Sequence, residues 1–145
     1  FQITYKPSAS GNSRGLISSL TNGTINNLKI DISTSVQAMG YPQGPIAGLV
    51  DVATNSVLNQ ISGSVQISNN DDSLQNLGGL VGLSQDSTIS NSDLNISIES
   101  TRGTPNVGGI AGLAQGSVIE NTKINSNISN EGIPFGGTFT NGIGA

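Results

Sequence analysis

Leu77–Ser100 reads LGGLVGLSQDSTISNSDLNISIES, and Val107–Asn130 reads VGGIAGLAQGSVIENTKINSNISN. The second stretch is the first, moved forward by 30 residues without a gap. Gly79 falls on Gly109, Leu80 on Ile110, Gly82 on Gly112 and Leu83 on Leu113. Further on, Gln85 meets Gln115, Ile89 meets Ile119, Asn91 meets Asn121 and Ile98 meets Ile128. A fixed offset of this kind is the mark of a protein built from stacked repeats.

Two eroded copies precede these. Gly15–Leu20 (GLISSL) aligns with Gly108–Leu113, and Gly23–Asn27 continues it after a one-residue deletion. Gly44–Leu49 (GPIAGL) aligns with Gly78–Leu83, and Ser56–Asn59 takes up the second half. Polar links rich in Gly, Pro and Asn separate the copies, as turns require. Within a copy the apolar period is two. Ile96 and Ile98 alternate with Asn95, Ser97 and Glu99, Val65 and Ile67 with Ser64, Gln66 and Ser68, and Ile30 and Ile32 with Lys29, Asp31 and Ser33. That is the pattern of strands with one buried face. Phe1–Tyr5 (FQITY) alternates in the same way and precedes the repeats.

The expected fold is therefore all-β, a β-solenoid of about four stacked coils of about 30 residues each. Residues 1–14 form a short N-terminal strand and linker, 15–135 the coils, and 136–145 the start of a further coil or a C-terminal cap. Equivalent residues then stack about 4.8 Å apart. The alignment predicts one inward column of Ile17, Ile46, Leu80 and Ile110, and another of Leu20, Leu49, Leu83 and Leu113. Gly48, Gly82 and Gly112 fall between the columns, where glycine suits a tight corner or a close backbone approach. A phosphate-binding role for them lacks the following helix and lysine it needs. Asn91 and Asn121, with Asn27 as a weaker member, have two readings: an amide ladder from coil to coil, or solvated asparagines in turns.

Composition narrows function. The chain has 145 residues, a net charge of −4, no His and no Cys. Adding its 20 glycines to the 34% of other apolar residues brings the apolar share to about half, as in globular domains. Five scattered basic residues give no footprint for nucleic acid. No apolar run is long enough to enter a membrane. Without His or Cys, Ser-His-Asp and thiol catalysis are excluded, and no cofactor or metal site is expected. Nine carboxylates are present, yet none recurs at equivalent repeat positions. General acid–base attack on a glycan needs two that converge. Asp71-Asp72 is the single adjacent pair; it lacks the spacing of a calcium loop, and a solvated turn is the plainer reading. The sequons at Asn22, Asn95 and Asn127 carry little weight in a chain this rich in Asn, Ser and Thr.

Gly79-Leu80-Val81-Gly82 and Gly109-Ile110-Ala111-Gly112, each followed by a polar turn and an S-x-I-x-N segment, resemble the GLUG repeat. The resemblance extends over most of 15–130, with Pro45 and Ser19 standing where the pattern has glycine. It implies a bacterial protein that is secreted or exposed on the cell surface, since such repeats occur in large adhesin-like proteins. They also occur in the non-catalytic part of zinc metalloproteases that cut immunoglobulin A. No catalytic residue carries over, because the His-Glu-x-x-His motif is absent.

The leading expectation is a non-catalytic structural or adhesive module of an extracellular or cell-surface protein. Its partners are a host protein or glycan, or neighbouring subunits met head to tail. The alternative is an accessory repeat region of a secreted metalloprotease or other hydrolase. A β-helical polysaccharide-active enzyme lacks clustered carboxylates here, and an ice-binding array lacks T-x-T on every coil. Phe135–Phe139 starts a coil that the sequence does not finish, which predicts an uncapped end.

Overall fold

The computed structural model describes residues 1–5, 14–38, 44–102, 104 and 106–131. The expectations for Phe135–Phe139 and for a cap over 136–145 lie outside these residues. The described elements are all strands, and all pair in parallel. Coil 1 contains β2 (Ile17–Thr21) and β3 (Thr24–Gln37); coil 2 contains β4 (Ile46–Ala47), β5 (Val50–Thr54) and β6 (Val57–Asn70). Coil 3 runs through β7 (Asn76–Gly78), β8 (Val81–Gln85), β9 (Thr88–Ser90) and β10 (Asp93–Ser100). Coil 4 repeats it with β11 (Asn106–Gly108), β12 (Ala111–Gln115), β13 (Val118–Glu120) and β14 (Lys123–Asn130). The result is a β-solenoid of about four turns. A short strand, β1 (Gln2–Tyr5), adds one more rung to the long sheet by pairing with Lys29–Ile32 of β3.

Ile17 lies opposite Val50, Val50 opposite Val81, and Val81 opposite Ala111, in steps of 33, 31 and 30 residues. Each step is constant through every strand of its coil, because a one-residue slip would turn the buried face of the strand outward. Ile25, Leu58, Ile89 and Ile119 thus stack in one column, and Ile32, Val65 and Ile96 in another. Leu58, Ile89, Ile32 and Val65 are all buried.

The uneven steps correct two expected columns. Ile46 stacks on Leu77 rather than Leu80, and the residue aligned with Leu80 and Ile110 is Leu49, whose N–H donates to the Leu80 carbonyl. Leu16 precedes it in the same column, one place before Ile17. Leu83 and Leu113 pair with each other and with Val52, not with Leu49, and both are only half buried. The two-glycine frame of GPIAGL caused the shift. Gly48 is the counterpart of Gly79 and Gly109, and the place of Gly82 and Gly112 is taken in coil 2 by Asp51. Gly79 itself is a close approach: a Cβ there would run into the carbonyl oxygen of Gly109.

Two corners per coil turn the chain through the left-handed backbone region. The first is formed by Asn22, Asn55, Asp86 and Gly116, with φ of 51°, 48°, 48° and 60°. The second is formed by Asn27, Gln60, Asn91 and Asn121, with φ of 54°, 56°, 51° and 48°. Asn and Asp tolerate this region because their short side chains bond locally. The asparagines are therefore chosen for backbone shape. Asn91 and Asn121 are exposed and form no ladder with each other; Asn91 Nδ2 donates instead to Asn59 Oδ1 at 2.8 Å.

Serines after the corners bind the coils together. Ser56 Oγ accepts from Gly23 N–H at 3.1 Å, Ser87 Oγ from Ser56 N–H at 3.0 Å, and Ser117 Oγ from Ser87 N–H at 3.2 Å. Each hydroxyl donates to the carbonyl two residues earlier in its own coil. A buried N–H in the inter-coil gap is thereby satisfied.

Gln60 breaks the corner rule, since glutamine reaches the left-handed region at a cost of about 1 kcal/mol or more. Gln60→Asn should stabilise the fold by about 1 kcal/mol, raising the melting temperature by about 2–4 °C. A thermal melt in which Gln60→Asn is neutral or destabilising would show that the corner carries no strain.

Candidate ligand-binding face

The long sheet β1-β3-β6-β10-β14 presents one broad outward face. Alternation along each strand sends Ile32, Val65 and Ile96 inward and their polar neighbours outward. Stacking then lines the outward residues up. Asp31, Ser64, Asn95 and Asn125 form one column, and Ser33, Gln66, Ser97 and Asn127 a second. Between the columns runs an open groove of about 520 Å³. Its walls are hydroxyls and amides held in register, with Asp31 at one end. Ser64 Oγ donates to Asp31 Oδ1 at 3.1 Å, and Asn125 Nδ2 to Asn95 Oδ1 at 3.3 Å. Amide ladders of this kind recur beyond the groove, between Asn106 and Asn76 at 2.8 Å and between Gln85 and Gln115 at 3.1 Å.

None of the repeat positions singled out from sequence lines this groove. Gly79, Leu80, Gly82, Gly109, Ile110 and Gly112 are buried where the strands of the short sheets begin. Leu83 and Leu113 lie half buried on β8 and β12, and Asn91 and Asn121 hold the second corners. The repeat signal finds the residues that stack, and those are chiefly core and corner positions. The groove residues carry a fainter signal, the polar partners of Ile32, Val65 and Ile96 at matching offsets.

The carboxylates separate into distinct environments. Asp71 and Asp72 part company: Asp71 turns inward, where its Oδ1 accepts from Ser73 N–H at 2.8 Å and from Ser73 Oγ at 2.6 Å. Asp72 stays in solvent, 3.8 Å from Arg102 in an exposed ion pair. Such a pair contributes little to stability. Inside, Asn69 Nδ2 donates to the Asp71 carbonyl, Ser100 Oγ and Thr104 Oγ1, fastening the loop after β6 to the one after β10. No group of three or more His, Cys, Asp or Glu able to hold a metal occurs among the described residues. Of the sequon asparagines, Asn22 is an exposed corner, while Asn95 and Asn127 are exposed on the groove.

Asp51 is the buried acid of the coil 1–coil 2 junction, 2% exposed. Its Oδ1 accepts from Gly15 N–H at 2.9 Å and Ala47 N–H at 3.0 Å, joining the two coils through one atom. Burial pushes its pKa above the ordinary aspartate value; the two N–H donors and the charge of Arg14 pull the other way without cancelling the rise.

Comparison of the chain with models of known protein families, with curated proteins and with solved structures gave no match. No helix among the described residues is long and apolar enough to cross a membrane.

The raised pKa fixes the sign of a pH effect. With the folded pKa above the unfolded one, the contribution of Asp51 to stability is full below the unfolded value of about 3.8–3.9 and is lost as pH rises through the folded value. Urea unfolding from pH 3 to 7 should show that falling component in the wild type and lack it in Asp51→Asn. Equal pH profiles for the two proteins would exclude Asp51 as its source.

Proposed function

We propose that the chain is a non-catalytic structural or adhesive module of a bacterial extracellular or cell-surface protein, a rigid solenoid that presents a binding face. The observation that carries this reading is the groove: two columns of outward side chains, hydroxyls and amides with the Asp31 carboxylate at one end, spaced by the backbone itself across coils 1–4. Such a surface offers hydrogen bonds in a fixed array, and its ordering is already met by the fold. Two buried acids support the non-catalytic part, because Asp51 and Asp71 are engaged in backbone and turn contacts. The bacterial and surface placement rests on the GLUG-like strings Gly79–Gly82 and Gly109–Gly112.

A panel of peptides and glycans should pass through the purified chain unhydrolysed. Turnover that disappears in Asp72→Asn or Glu120→Gln would overturn the reading.

Exposure at coil 4 favours a second role, head-to-tail association. Ile128 is 38% exposed, whereas Ile98, the residue it stacks on, is 1% exposed; Val118 is 51% exposed. Addition of another rung would cover Ile128; Val118 faces outward like Val57, its counterpart two coils away, which is 38% exposed with a rung on either side. Sedimentation should then report mass rising with concentration, reduced by Ile128→Asp. A monomer at all concentrations would sink this role.

A further inference from the structure

We propose that the groove on the long sheet takes a neutral, extended, β-linked polysaccharide, laid along the solenoid axis with one sugar unit to each coil. The proposal deepens the reading of the chain as a non-catalytic binding module and rests on it.

Charge comes first. The groove lining contains no Lys or Arg and one acid, Asp31, which already accepts from Ser64. In the neighbouring outward column Lys29 and Lys123 stand with Asp93 between them, so the signs alternate. A polyanion would find no run of cations, and a polycation no run of carboxylates. Single-stranded nucleic acid binding uses aromatic stacking, and no aromatic residue lines the groove.

Hydrogen-bonding character comes next. Gln66, Asn95, Asn125 and Asn127 each bring a donor and an acceptor on one side chain. A sugar hydroxyl does the same, which makes it a natural counterpart at every step. The volume of about 520 Å³ falls within the range of small-molecule sites.

Period decides among the remaining polymers. Equivalent side chains repeat at the strand spacing of about 4.8 Å along the axis. One unit of an extended β-1,4-linked hexose chain has nearly that length, so each coil meets one unit; successive units are turned over, and alternate coils meet the same hydroxyl-bearing edge. An extended peptide rises about 3.3 Å per residue and shows the same face only every second residue, which falls out of step with the coils. A peptide adding as a strand needs an open sheet edge, and this groove lies on the face. A coiled α-linked glucan has the same hydroxyls without the straight repeat.

The test is an NMR titration of the full chain, following the side-chain amide signals of Gln66, Asn95, Asn125 and Asn127. Cellohexaose and chitohexaose are the extended probes; maltohexaose, a heparin hexasaccharide and an unstructured Ser/Thr-rich peptide are the comparisons. We expect saturable shifts with at least one extended probe and at least tenfold weaker binding of maltohexaose. The double variant Gln66→Ala/Asn127→Ala, both exposed positions, should weaken binding at least tenfold through the loss of two or more hydrogen bonds. Gln115→Ala, outside the groove, should bind as the wild type does. Circular dichroism checks that each variant keeps its strands. Failure of both extended probes to bind, equal binding of maltohexaose, tighter binding of heparin or peptide, or indifference to the double variant would each overturn the proposal. Hydrolysis of a bound hexaose would instead overturn the non-catalytic reading and leave the groove assignment standing.

Discussion

Everything in this molecule depends on the parallel backbone hydrogen bonds that join each strand to its counterpart one coil away, such as the one from Ile17 N–H to the Leu49 carbonyl. They hold Ile17 opposite Val50, Val50 opposite Val81 and Val81 opposite Ala111. Once that register is set, chemistry is copied along the axis. Apolar residues become columns, corners become columns of left-handed residues in which asparagine prevails, and exposed amides become ladders. The core is slender and contains no tryptophan. Its cohesion comes from repetition: Leu58, for example, is sealed above and below by Ile25 and Ile89. The serine bridges show how little tolerance the arrangement has, since a single hydroxyl serves an N–H in the coil before and a carbonyl in its own.

The sequence disclosed this architecture most clearly where the copies are best preserved. Between coils 3 and 4 the constant offset of 30 residues placed Leu83 with Leu113 and Ile89 with Ile119, and the solenoid pairs them so. Copies 1 and 2 were harder to read for a physical reason. Coils 3 and 4 carry glycine at two distinct places, the close approach at Gly79 and Gly109 and again at Gly82 and Gly112, so GPIAGL fits either. Asp51 made the choice misleading by taking the second glycine's place and turning its carboxylate toward Gly15 and Ala47. The asparagines admitted two readings because a repeated Asn reports a need without saying whether the side chain or the backbone has it. Here φ near 50° shows that the backbone does.

The groove was less legible than the fold. Ser33, Gln66, Ser97 and Asn127 share a column yet differ in identity, so no repeat score rewards them. Core positions must match their neighbours in shape, whereas outward positions need only be compatible with water and with one another. A binding face made from such positions is visible in three dimensions before it is visible as a pattern. The same freedom lets its chemistry drift from amide to hydroxyl without disturbing the strands beneath.

The unequal steps between coils have a consequence for how such a chain changes length. Within each coil the spacing to the next is constant from the first strand to the last, from Ile17 to Gln37, from Ile46 to Asn69, and from Asn76 to Ser100. All of the difference therefore accumulates in a single junction per coil, the link that leaves the long sheet and re-enters the short one. The two left-handed corners admit no such variation. Growth and loss of residues have one permitted address on each turn, and additions there leave the rest of the frame in phase. A designer seeking to graft a foreign loop, or a genome trying out insertions, would find the same few sites open.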